Sequence, residues 1–233
     1  MNKLNLYQGI KANFNTADIS PSSVAKWLPN TRGLSNIKRD RLPSKVVPNT
    51  LHVGNIVHEV IDLANQYNTE LLDAYEVVRE YRDYAEGEKS RLHKMASQNT
   101  YSINAIKRAD DKLIVKALKW LEDNVLDRSV QLYELSVPTV QIGSKTYSGT
   151  ADVVHDNLDG TFSIYDFKCY NGVSPKELRS NWNQLMIYAV MLSSFGYTIS
   201  SLKVFNPVLE REYTKTLTPE VLQAFIDTQL ISE

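Results

Sequence analysis

The stretch Gly149-Thr150-Ala151-Asp152, followed after a short turn by Tyr165-Asp166-Phe167-Lys168, decides how this chain is read. Its flanks, residues 148–154 and 162–168, carry the apolar and β-branched residues that strands favour. Between them, His155-Asp156-Asn157-Leu158-Asp159-Gly160-Thr161 is turn chemistry, with the Asp-Gly pair supplying the positive φ that a reversal needs. An antiparallel hairpin follows. Partners across a hairpin have a constant index sum, so a loop of odd length centred on Asp159 places Asp152 opposite Asp166 on one face of the sheet. Lys168, two residues further on, returns to that same face.

Two carboxylates about 4 Å apart repel by roughly 4 kcal/mol at an effective dielectric of 20, and a bound cation removes that penalty. Oxygen donors favour a hard ion, Mg2+ or Mn2+, which keeps several waters, one of them a candidate nucleophile. An isolated Asp…Asp-x-Lys is more often a solvated hairpin face. Here the acids interrupt apolar strands, as they would in a semi-buried site.

The 233 residues suffice for one large domain, and 42% hydrophobic with 23% charged residues is an ordinary globular profile. A net charge of −1 excludes a general polycation, so nucleic-acid binding requires a local patch. Cys169 is the single cysteine, which excludes intrachain disulfides and cysteine-rich zinc or iron–sulfur sites. No apolar run approaches the roughly 20 residues of a membrane span, and Met1-Asn2-Lys3-Leu4-Asn5 does not open a signal peptide. A cytoplasmic protein with no membrane partner is expected.

Along the chain, helices come first. Residues 19–28 predict a short helix with serine caps, ended by Pro29. Residues 30–49 are loop-like and locally basic, with Arg32, Lys38, Arg39, Arg41 and Lys45 opposed by Asp40; a solvated loop and a phosphate-contacting patch are equal readings. Val53, Ile56, Val57, Val60, Ile61 and Ala64 recur at helical spacing, with His58 at the edge of the stripe and Gly54 one turn before it. Two longer helices are expected over about 69–96 and 101–127, either as an antiparallel pair or as the frame of a substrate passage. Strands follow at about 129–137, 145–155 and 161–169. Ser174-Pro175-Lys176-Glu177 is a capping box that starts a helix closed by Gly196, and 198–206 is a further strand. A helix between strands implies a βαβ step, hence a mixed sheet with helices against it. Thr218-Pro219-Glu220 starts the last helix.

Together these pieces resemble the PD-(D/E)XK nuclease superfamily and, within it, the RecB-like exonuclease branch. The likeness rests on Ser20-Pro21-Ser22-Ser23, on Gly54-Asn55-Ile56-Val57-His58, on Gly149-Thr150-Ala151-Asp152 with Asp166-Phe167-Lys168, and on Gln184-Leu185-Met186-Ile187-Tyr188. The order and spacing of the two acidic strand motifs are its specific part. It implies an α/β, restriction-endonuclease-like fold: a mixed central sheet flanked by helices, with a helical N-terminal half. It also implies a single nuclease domain over 1–233, in which 68–128 is a helical insertion acting as an arch or clamp.

By the same resemblance, His58, Asp152, Asp166 and the Phe167 carbonyl would bind Mg2+ or Mn2+. Lys168 would orient the attacking water, and Gln184 and Tyr188 would position substrate, with Lys38, Arg39 and Arg41 on the DNA backbone. Glu134 stands where relatives often have an acid; its role is left open. The iron–sulfur cysteines of some relatives cannot exist here, and there is no Gly-rich nucleotide loop. The layout is similar to phage recombination and mitochondrial genome-maintenance exonucleases, which implies DNA with a free end as substrate, in recombination, repair or replication, and a protein partner from those processes. The alternatives are a structure-specific or restriction-type endonuclease using the same site, and a non-catalytic DNA-binding protein on the same fold.

Overall fold

The computed structural model describes residues 40–41, 50–83, 111–169 and 172–231. The expected helix over 19–28, and Lys38 and Arg39 of the basic segment, lie outside the described residues. So does 84–110, which holds the end of the first expected long helix and the start of the second.

Thr50–Tyr67 forms α1, Leu71–Asp83 α2 and Asp111–Asn124 α3. The strands are β1 (Asp40–Arg41), β2 (Gln131–Ile142), β3 (Lys145–Asp156), β4 (Thr161–Phe167), β5 (Gly172–Val173), β6 (Thr198–Asn206) and β7 (Arg211–Thr216). Helix α4 spans Pro175–Ser193 and α5 spans Pro219–Phe225, continued by a wider turn at Ile226–Leu230. Five strands make one mixed sheet in the order β2-β3-β4-β6-β7, in which β4 and β6 run parallel and the other neighbours antiparallel. The parallel pair is joined through α4, as the βαβ reading requires.

The central hairpin has the expected register. Val153 pairs with Tyr165 and Val154 with Ile164, so Asp152 and Asp166 are the next residues along. The loop turns about Asp159, closed by the Asn157 N–H donating to the Thr161 carbonyl, with Gly160 at φ 86°. Helix α4 starts where its capping box predicts: the Ser174 hydroxyl accepts from the Glu177 N–H while the Glu177 carboxylate accepts from the Ser174 N–H.

Each sheet face is covered by its own helices. Leu178, Trp182, Leu185 and Met191 of α4 pack with Val154, Ile164, Ile199 and Leu202 on one side, joined by Phe225 of α5. On the other side, the α1 stripe Val53, Ile56, Val57, Val60 and Ile61 packs with Tyr133, Val153, Phe167 and Phe205. The described parts of α2 and α3 join this second core through Leu71, Tyr75, Ile114, Leu118 and Leu121. The Tyr75 hydroxyl donates to Asp111 at 2.7 Å, and Glu122 accepts the Leu71 N–H at the start of α2. No helix among the described residues is long and apolar enough to cross a membrane.

Three features differ from the sequence expectation. Strand β2 runs on past Pro138 to Ile142, which the irregular register between Val137 and Val140 accommodates on an edge strand. Strand β7 has no counterpart in the expected elements, and β1 pairs with β5, Arg41 opposite Gly172. That pairing anchors the backbone of Asp40 and Arg41, the two residues of the 30–49 segment that are described.

Candidate metal centre

The site forms where the ends of β3 and β4 meet α1 on one side and α4 on the other. Asp166 is 1% exposed on β4, and its Oδ1 accepts from Lys168 Nζ at 2.5 Å and from Gln184 Nε2 at 3.4 Å. Its Oδ2 is buried and has no hydrogen-bond partner among the described residues. A buried carboxylate oxygen left so is costly unless something else comes to it. Burial pushes the Asp166 carboxyl up to about 6; Lys168 pulls it back, and Asp152 adds to the rise.

Asp152 is differently engaged. Its Oδ2 accepts the Phe167 N–H at 2.8 Å, a bond between a side chain of β3 and the backbone of β4 that locks the two strand ends together. The Phe167 carbonyl points the other way, toward His58 Nε2 at 3.3 Å, and the same nitrogen is 3.9 Å from Asp152 Oδ2. An imidazole nitrogen, a carboxylate oxygen and a backbone carbonyl therefore border one small space. Such a donor set, oxygen-rich with a single nitrogen, could hold a metal ion.

Glu134 completes the group. His58 Nδ1 lies 3.5 Å from Glu134 Oε1, and one ligand atom each from His58, Glu134 and Asp152 fall within 4.8 Å of one another. Burial lowers the affinity of His58 for a proton, but Asp152 and then Glu134 outweigh it and hold the imidazole pKa at about 9. Glu134 also has a left-handed backbone, φ 46°, inside a strand, a conformation that costs a non-glycine residue about 1–3 kcal/mol. The two neighbours of Glu134 show its effect: Tyr133 faces the α1 core and Leu135 the α4 core, although strict alternation would keep them on one face.

The lysine is held by its backbone as well. The Lys168 N–H donates to the Phe205 carbonyl at 2.9 Å, extending the β4–β6 ladder one residue past β4. Cys169, next in sequence, is 6% exposed, packs against Gly54 of α1 and has its thiol pushed up to about 12 by burial. It is a packing residue, as its sequence context suggests.

Gln184 and Tyr188 lie one turn apart on α4 and both reach the hairpin. Gln184 touches Asp166, whereas the Tyr188 hydroxyl donates to the Thr150 carbonyl at 2.7 Å, two residues before Asp152, with its ring 4% exposed. Tyr188 thus acts on the strand that carries Asp152. The structure brings together His58, Asp152, Asp166, Phe167, Lys168, Gln184 and Tyr188; for Arg41 it gives the backbone alone. The two links that sequence patterns missed are Glu134 to His58 and Tyr188 to Thr150. A hint of the first was available, because Glu134 falls abreast of Asp152 once β2 is paired with β3.

No protein-family model matches the sequence, and no curated protein matches it. Among solved structures, one described as "Crystal structure of SSO0001" is similar to this chain at 14% identity and a TM-score of 0.35, over 70% of this chain and 87% of its own.

Proposed function

We propose that this chain is a metal-dependent DNA nuclease of the PD-(D/E)XK superfamily, in its RecB-like exonuclease branch, with the mixed sheet as a restriction-endonuclease-like core. The observation that carries the proposal is the half-partnered, buried Asp166 carboxylate with an ammonium group 2.5 Å away, on the strand next to Asp152, whose Oδ2 lies 3.9 Å from His58 Nε2. A hairpin of purely structural charge would pair both Asp166 oxygens or expose them. His58 Nε2, Asp152, Asp166 and the Phe167 carbonyl are the groups that would hold Mg2+ or Mn2+. When bound, such a cation supplies Lewis acidity toward a phosphodiester oxygen and makes water more acidic.

The remaining work falls to the protein. Lys168 keeps a positive charge at the mouth of the site, where its N–H donors orient a water and offset the negative charge that grows on the phosphate oxygens. Gln184 holds the Asp166 carboxylate from the α4 side, and the Tyr188 bond to Thr150 fixes the approach of β3. Lys38, Arg39 and Arg41 are proposed to contact the DNA backbone, a sequence-independent interaction that fits degradation from an end. The segment 68–128 is proposed to guide the strand.

The test is digestion of end-labelled linear single- and double-stranded DNA beside closed circles, with Mg2+, Mn2+ or chelator, for the native chain and Lys168→Ala. Metal-dependent loss of linear substrate alone, absent in the variant, is the expected result. Cutting of circles makes the protein an endonuclease, and no metal-dependent cleavage of any substrate removes the catalytic reading in favour of a binding role.

A further inference from the structure

We infer that Glu134 is the positioning residue for His58: its carboxylate takes Nδ1 so that Nε2 is presented to the space bordered by Asp152 and the Phe167 carbonyl. The inference rests on the metal-centre reading above and assigns a role that the resemblance leaves open.

The two ring nitrogens of His58 are divided between two strands. Nδ1 lies 3.5 Å from Glu134 on β2, whereas Nε2 lies 3.3 Å from the Phe167 carbonyl and 3.9 Å from Asp152 on the other side. An imidazole that ligates through one nitrogen needs its other nitrogen held, because that second contact sets both tautomer and ring orientation. His58 side-chain exposure is 32%, so packing alone leaves the ring room to turn. A charged acceptor on Nδ1 removes that freedom and raises the basicity of Nε2.

The backbone gives an independent argument. Glu134 lies between the cross-strand pairs Tyr133–Val153 and Leu135–Ala151, abreast of Asp152, at φ 46°. Glycine or asparagine takes that conformation with little strain, and glutamate does not. If the position served only to switch β2 from one core to the other, glutamate would be a poor occupant. The strained carboxylate is explained by what it reaches.

Isothermal titration of the metal-free protein with Mn2+ tests this, alongside thermal melting of the same samples. Glu134→Gly suits the local φ, so it is expected to melt no lower than the native chain while binding Mn2+ about 10–100-fold more weakly. Glu134→Gln keeps an acceptor for Nδ1 and should fall between the two. In a His58→Ala background the effect of Glu134→Gly should shrink to within about twofold, since a residue that acts through His58 has nothing left to act on. Native affinity in Glu134→Gly overturns the inference. So does an undiminished loss in the His58→Ala background, which would make Glu134 a ligand in its own right. A native chain that takes up no Mn2+ removes the metal-centre reading itself, and this assignment with it.

Discussion

Asp152 and Asp166 stand abreast on neighbouring antiparallel strands, yet they face different partners: Asp152 takes the Phe167 N–H at 2.8 Å, and Asp166 takes the Lys168 ammonium at 2.5 Å. The division follows from the backbone. One acid closes the hairpin end and stays near His58; the other sinks beneath α4 with one oxygen left over. A pair of carboxylates that would otherwise repel is thus kept together by a backbone N–H on one side and a cation on the other.

In the proposed metal site, that arrangement makes a cation compete with protons. Asp166 titrates near 6, above its ordinary value, and His58 near 9. Both pKa values are raised on folding. The stabilising contribution of each protonated form is therefore complete below the unfolded value and is lost as pH rises, through about 6 for Asp166 and through about 9 for His58. A divalent cation needs both groups without their protons. The rise in melting temperature on adding Mn2+ should be close to zero at about pH 5 and should grow as pH rises through about 6 and on to about 9. Melting curves with Mn2+ or chelator across that range check this; a metal-induced shift that does not change with pH would disprove the competition.

Lys168→Ala should reveal the other half of the pair. Removing the ammonium leaves Asp166 buried without its main counter-charge, so the carboxyl is driven further up and stays protonated over a wider range. Because the group can neutralise itself and Lys168 is 22% exposed, the loss should be about 2 kcal/mol at high pH, below the 3–5 kcal/mol of a fully buried pair, and it should fade as pH falls through about 6. Urea unfolding at two pH values measures it. An equal loss at both would mean that the lysine stabilises through packing of its stem rather than through charge.

The hairpin was legible because its signals are local: strand composition on both sides and an Asp-Gly turn between them. The α1 stripe and the α4 capping box were legible for the same reason. Strand β7 was not, since Arg211-Glu212-Tyr213-Thr214-Lys215-Thr216 lies at a sheet edge and buries too little to show an apolar alternation. Pro138 hid the second half of β2. Within the site, His58 and Phe167 are 109 residues apart, and only a family pattern could join them from sequence. The role of Glu134 stayed open at the sequence level because its left-handed backbone reverses the alternation by which a strand residue is assigned to a face.

Tyr188→Phe isolates the strut from α4 to β3. The lost bond is a neutral one to the carbonyl of Thr150, an exposed residue, so water can replace it and the cost should be about 1 kcal/mol, or roughly 2–4 °C in melting temperature for a chain of this size. If Tyr188 acts through β3, the variant should also weaken Mn2+ binding, because Asp152 lies two residues along the same strand. Unchanged Mn2+ affinity together with a raised KM for DNA would instead place Tyr188 on the substrate.

Gly54 gives the sharpest steric prediction. A Cβ built there would lie 3.5 Å from the Cβ of Cys169, ordinary contact, so Gly54→Ala should be tolerated and should gain helix propensity of up to about 1 kcal/mol. A larger side chain that extends toward β4 would press on Cys169, which is buried against α1 and is covalently next to Lys168. Gly54→Leu should cost about 2 kcal/mol by overpacking and should displace the lysine, so that the proposed nuclease activity falls further than stability alone accounts for. Cys169→Ala should rescue part of both losses in the Gly54→Leu background, because it removes the sulfur from the crowded side of the contact. Thermal melting and digestion assays on the three variants decide the matter: a Gly54→Leu protein with native activity, or one that Cys169→Ala does not rescue, would show that this helix contact has no hold on the lysine.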